Sequence, residues 1–275
     1  MKTLYINSRN NNGFTLIELS IVLVIIGLLV GGVLVGQDMI RNSEVTSVMS
    51  DIQKYTATIG TFKEKYQVLP GDMPNATSYW GANNNTGFGC TSMYTATTSA
   101  TSTCNGDGNG RIDATPLSHF PAESITLWKH LQNAGMLEGK FSGQDNGGQP
   151  YIAGVSVPGT KLIGGGLTLM DQSMTFCNGG SAYEYACTTP KASVFHFGAI
   201  SNIYVKGAII SASEALTIDS KYDDGKPGLG TIKAPIKNNT IGWAPDCSTN
   251  TDANLAAYDT SRNGPICSLI IEVIL

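Results

Sequence analysis

Between Phe14 and Val35 the chain reads FTLIELSIVLVIIGLLVGGVLV, in which 16 of 22 residues are Phe, Leu, Ile or Val and Glu18 alone is ionisable. At about 1.5 Å per residue a helix of this length spans roughly 33 Å, the thickness of a bilayer's hydrocarbon core. Its large apolar side chains contribute roughly −6 kcal/mol to insertion, which outweighs about +3 for one acid. Residues 14–36 are therefore expected to cross a membrane. Residues 1–13 carry Lys2 and Arg9 and no acid, a charge bias that places this end in the cytoplasm and the rest of the chain outside. No small-x-small cleavage site follows Val35, so the apolar segment is expected to stay with the chain rather than leave as a secretory signal.

From Gln37 the pattern changes without a break. Val45, Val48, Ile52, Tyr55, Ile59, Phe62 and Tyr66 recur at spacings of three and four, while Asp51, Lys54, Lys63, Glu64 and Lys65 fall off that stripe. This is the signature of a helix with one apolar face. No proline occurs between Phe14 and Pro70, so one helix on the order of 80 Å can run to about Tyr66. A coiled coil would also use such a stripe. The two Tyr and Gly60 suit packing against the chain's own sheet better.

The residues that precede and open the apolar segment, Gly13-Phe14-Thr15-Leu16-Ile17-Glu18, resemble the class III signal of type IV prepilins and type II secretion pseudopilins. The resemblance covers residues 8–36, with a weaker likeness through Pro70. In that family a membrane aspartyl peptidase, the prepilin peptidase, cuts after the Gly and N-methylates the new terminal Phe. It implies cleavage between Gly13 and Phe14, methylation at Phe14, and an assembly role for Glu18. An intramembrane acid needs a partner, and in a helical stack that partner is expected to be the Phe14 ammonium of a neighbouring subunit. Major pilins in this family often carry a proline where this chain has Val35, with Gly27, Gly31, Gly32 and Gly36 nearby instead. Glycine loosens a helix by about 1 kcal/mol rather than breaking it, which favours a minor pilin or pseudopilin over a bulk subunit.

The implied fold is α+β and pilin-like: a long N-terminal helix, half membrane-spanning and half amphipathic, packed on an antiparallel β-sheet head with disulfides. Four regions are expected: a cytoplasmic leader over 1–13, a transmembrane and polymerisation helix over 14–36, its amphipathic continuation over 37–66, and an extracytoplasmic head over 67–275. In the head, Leu69-Pro70-Gly71-Asp72 ends the long helix. A second helix starts at Pro121-Ala-Glu123, carries Leu127, Trp128, Leu131 and Ala134 on one side, and stops at Gly135. Strands are expected at Lys161–Ile163, Leu167–Met170, Val194–Phe197, Ile203–Ile210, Leu216–Ile218, Thr231–Ile232 and Leu269–Leu275. Asp219 to Pro227 reads as a solvated charged turn between strands.

Six cysteines without a CxxC pair point to disulfides outside the cytosol. Nearest-neighbour pairing gives Cys90–Cys104, Cys177–Cys187 and Cys247–Cys267, one of 15 possible connectivities. Asn105, Asp107, Asn109, Arg111 and Asp113 sit at alternate positions in NGDGNGRID, like the first nine residues of a calcium-binding EF-hand loop. The acidic twelfth position is occupied by Pro116, and Glu123 is the nearest substitute. Two readings stand here, a calcium site and a hydrated Asn/Asp/Gly turn without metal.

Low charge and an acidic balance shape the list of partners. Charged residues make up 14% of the chain, and 17 basic against 21 acidic side chains give a net charge of −4. Removing Lys2 and Arg9 with the leader leaves 15 against 21, or −6. Nothing in this balance supports nucleic-acid binding, which needs a clustered basic surface. His119, His130 and His196 lack a partner motif, and no GxSxG, HExxH or P-loop occurs, so a structural subunit rather than an enzyme is expected. No cofactor is required, calcium being the one candidate. The partners implied are the inner membrane, prepilin peptidase and other pilin or pseudopilin subunits in a helical filament. The destination is a cell-surface pilus in adhesion, motility or DNA uptake, or a periplasmic pseudopilus in protein export. A different class of reading is a membrane-anchored module that binds a ligand through loops 81–110 and 171–190.

Overall fold

The computed structural model describes residues 15–82, 101–113, 123–143, 151–171, 193–201, 204–234, 247–250 and 252–275. The first element, α1, is a helix over Leu16–Tyr66. The chain divides into two units, 1–43 and 44–275.

In the first unit every described apolar side chain of α1 is exposed, Leu16 by 88% and Leu28 by 73%. By length and composition this helix can cross a membrane. Such exposure is what a helix facing lipid presents, because lipid chains replace a protein core.

In the second unit α1 turns into a core element. Val45, Val48, Ile52, Ile59 and Phe62 are buried, Met49 joins them, and Tyr55 and Tyr66 pack against the same cluster while partly exposed. The stripe is thus used within the chain, as its two Tyr suggested. Two short helices follow, α2 over Ala76–Trp80 and α3 over Glu123–Asn133. On α3, Leu127, Trp128 and Leu131 are fully buried, and the Trp128 ring meets Tyr55 edge-on at 5.1 Å. α3 gives way to a turn in which Gly135 takes a positive φ of 70°.

Among the described residues the sheet has five antiparallel strands: β1 over Gly165–Asp171, β2 over Ser193–Ser201, β3 over Tyr204–Gly207, β4 over Ile232–Lys233 and β5 over Leu269–Val273. Their order is β1-β2-β5-β4, with β3 also paired to β2. Register places Leu167 opposite Phe197 and Leu169 opposite Phe195. Phe195 and Phe197 in turn face Ile271 and Leu269, and Ile232 faces Ile271. Strand side chains alternate between faces, so these residues share one face, and all seven join the cluster that contains the α1 stripe. A long helix over an antiparallel sheet, with a disulfide between Cys247 and Cys267, makes the fold α+β and pilin-like.

Three expected strands need correction. Leu216–Ile218 lies in a helix, α4, over Ala212–Tyr222. The cause is a capping box: the Ser211 hydroxyl accepts from the Glu214 backbone N–H, and the Glu214 carboxylate accepts from the Ser211 N–H. Ala212, Ala215, Ile218 and Asp219 are buried at helical spacing. Lys161–Ile163 forms a turn leading into β1. Of the expected strand Ile203–Ile210, Ile203 lies outside the described residues, Tyr204–Gly207 is a strand, and Ile210 makes an isolated bridge to Cys267. The charged segment from Asp219 runs between a helix and a strand rather than between two strands: Asp219 is in the last turn of α4 and buried, whereas Asp224 and Lys226 beyond the helix are exposed.

Candidate functional site

The candidate sites begin at the N-terminal end of α1. Gly13 and Phe14 lie outside the described residues, whereas Glu18 is described and is held by its own chain. Its Oε2 accepts from the Thr15 backbone N–H and from the Thr15 hydroxyl, both at 2.8 Å. The Glu18 N–H donates back to Thr15 Oγ1 at 3.3 Å. This reciprocal arrangement is a capping box, which satisfies amides that the first helical turn leaves open. Thr15 was not among the residues singled out from sequence, although T-x-x-E at 15–18 carries the signal. An exposed apolar stretch thus opens on a polar pair whose acid accepts two hydrogen bonds.

The second candidate site lies in the head. Asp72 follows the turn after α1, the 101–113 segment crosses over it, and Glu123 opens α3. The approach is close: a Cβ on Gly106 would stand 2.3 Å from the Gly71 carbonyl oxygen. Asp72 uses both carboxylate oxygens, accepting from the N–H groups of Asn109 (2.9 Å) and Gly110 (2.8 Å). Glu123 accepts from the N–H groups of Asp107 (3.0 Å) and Asp113 (2.9 Å). The two acids therefore fasten the loop from both sides.

The alternating residues do not converge as in an EF-hand. Asn105 Oδ1 turns to the Thr77 N–H of α2. Arg111 Nε stands 3.8 Å from Asp171 on β1. Asn109 sits between the acids, its Nδ2 donating to Asp107 at 2.8 Å and Asp113 at 3.3 Å. What does converge is Asp72, Asp107 and Glu123, each offering an oxygen within 4.8 Å of the others. Asp113 Oδ1 is buried without a hydrogen-bond partner among the described residues. Sequence reading had named Glu123 as a substitute ligand. It missed Asp72, because Leu-Pro-Gly-Asp reads as a helix stop and nothing local ties it to residue 107.

Burial dominates the electrostatics. Glu123, only 3% exposed, is pushed up to about 8, despite two amides that favour its ionised form. Asp72 is pushed up to about 6 for the same reason. Burial raises Asp113 as well. Buried carboxylates this close favour either a shared proton or a cation. The donor set is all oxygen, which suits a hard cation such as calcium.

The nearby His130 is fully buried and has a structural task. Its Nδ1 accepts the Gly71 N–H at 2.9 Å, so Nε2 carries the proton toward the Cys104 carbonyl, 3.0 Å away. Burial pushes its pKa down to about 4. A neutral imidazole thus pins together the turn after α1, the Cys104 segment and α3. His196 lies on β2 opposite Thr168 and Ile270, and His119 is outside the described residues.

Cys247 is bonded to Cys267. Cys104 is also disulfide-bonded; Cys90, Cys177 and Cys187, and with them the expected pairs Cys90–Cys104 and Cys177–Cys187, lie outside the described residues. A second acidic group, Asp219, Asp223 and Asp224, gathers after α4. Asp219 accepts from the Tyr258 hydroxyl at 2.7 Å and the Gly225 N–H at 3.0 Å, and burial pushes it up to about 6.

Residues 8–34 match the family model for the prokaryotic N-terminal methylation motif. This supports the prepilin and pseudopilin family, the matched motif lying at the head of a long apolar helix. No curated protein and no solved structure matches the chain.

Proposed function

We propose that the chain is a structural, non-catalytic filament subunit, cleaved after Gly13 and N-methylated at Phe14 by prepilin peptidase. Residues 14–36 hold it in the inner membrane with the N-terminus cytoplasmic, and its apolar helix then enters a type IV pilus as a major or minor pilin. The observation that carries this reading is that the methylation motif at 8–34 runs into the exposed apolar start of α1. A head with an internal disulfide and a C-terminal strand stapled at Cys267 favours a pilus over a periplasmic pseudopilus, which is the alternative.

Assembly would exchange the hydrogen bonds between Glu18 and Thr15 for an ion pair between Glu18 and the Phe14 ammonium of the next subunit. A charge pair shielded among bundled helices is worth more than one in water. Electron microscopy and immunoblotting of sheared surface filaments test this with Glu18→Ala. The variant should be processed yet missing from filaments; normal incorporation would overturn the role of Glu18.

We also propose that Asp72, Asp107 and Glu123 bind calcium, Asp113 lying beside them. The support is the convergence of three carboxylates, two of them buried. Calcium added to the detergent-solubilised protein should raise its melting temperature, and Glu123→Gln should abolish the rise. A melting temperature indifferent to calcium would leave only a hydrogen-bonded turn.

A further inference from the structure

We draw no further inference here: the strongest candidate, the cluster of Asp219, Asp223 and Asp224 carboxylates between α4 and β4, is an acidic cluster whose oxygens take up backbone N–H groups and the Tyr258 hydroxyl, and no second observation points to a ligand there.

Discussion

Glu123 and His130 stand about two turns apart on α3 and respond to pH with opposite signs. Glu123 titrates near 8 in the folded chain against 4.5 ordinarily. The folded state holds this proton where the unfolded state has lost it, so stability is full below about pH 4.5 and falls as pH rises to 8. Asp72 and Asp219 act the same way, up to about pH 6. His130 titrates near 4 against 6.5, so its contribution is full above 6.5 and lost as pH falls toward 4. Between pH 6.5 and 8 Glu123 remains alone among these four. Without added cation, melting temperature should fall across that interval, by no more than about 1.4 kcal/mol of stability per pH unit. Glu123→Gln should flatten the slope in thermal scans at pH 6.5, 7.2 and 8. A wild-type protein with no slope would show that the carboxyl is not held neutral. In the core, Trp128→Ala removes the ring that joins α3 to Tyr55 of α1 and should cost about 3–5 kcal/mol in chemical denaturation.

Among the elements, periodic ones were legible and short ones were not. The α1 stripe repeats through seven positions, and a period near 3.6 over that length admits one reading. Leu269–Val273 was legible as a strand because a run of β-branched residues is bounded by a cysteine staple. Leu216–Ile218 was misread because a short apolar run looks alike in strand and helix; the Ser211-x-x-Glu214 box was the signal that decided it. Ser211→Ala should therefore cost about 1 kcal/mol, measured by urea denaturation, whereas a strand here would be indifferent to that hydroxyl. The head's acidic site was half legible. Asp107 and Asp113 are close in sequence, but Asp72 and Glu123 arrive through the tertiary fold, and no local pattern announces such a meeting. The Cys247–Cys267 bond closes a separation of 20 residues and holds the strand β5 next to Ile210 through backbone bonds to Cys267. Replacing both cysteines with Ser should cost about 3 kcal/mol, read as a lower denaturation midpoint; an unchanged midpoint would make the staple dispensable.

For the whole molecule, one polypeptide serves two solvents. Up to residue 43 the described apolar side chains of α1 are exposed, an arrangement that water would penalise and lipid or neighbouring apolar helices would not. From residue 44 the same helix is a core element of a stapled α+β head. The change of solvent is visible in sequence as a switch from an unbroken apolar run to a one-sided stripe. The head itself has no matching curated protein or solved structure, so the assignment of the chain rests on its N-terminus, where the methylation motif and the apolar helix coincide. The central claim is therefore tested most directly by intact-mass and peptide mass spectrometry of the chain recovered from membranes and sheared filaments. The account predicts a chain that begins at Phe14 and carries one methyl group on that amine. A chain in either fraction that retains residues 1–13, or begins at another residue, would contradict it.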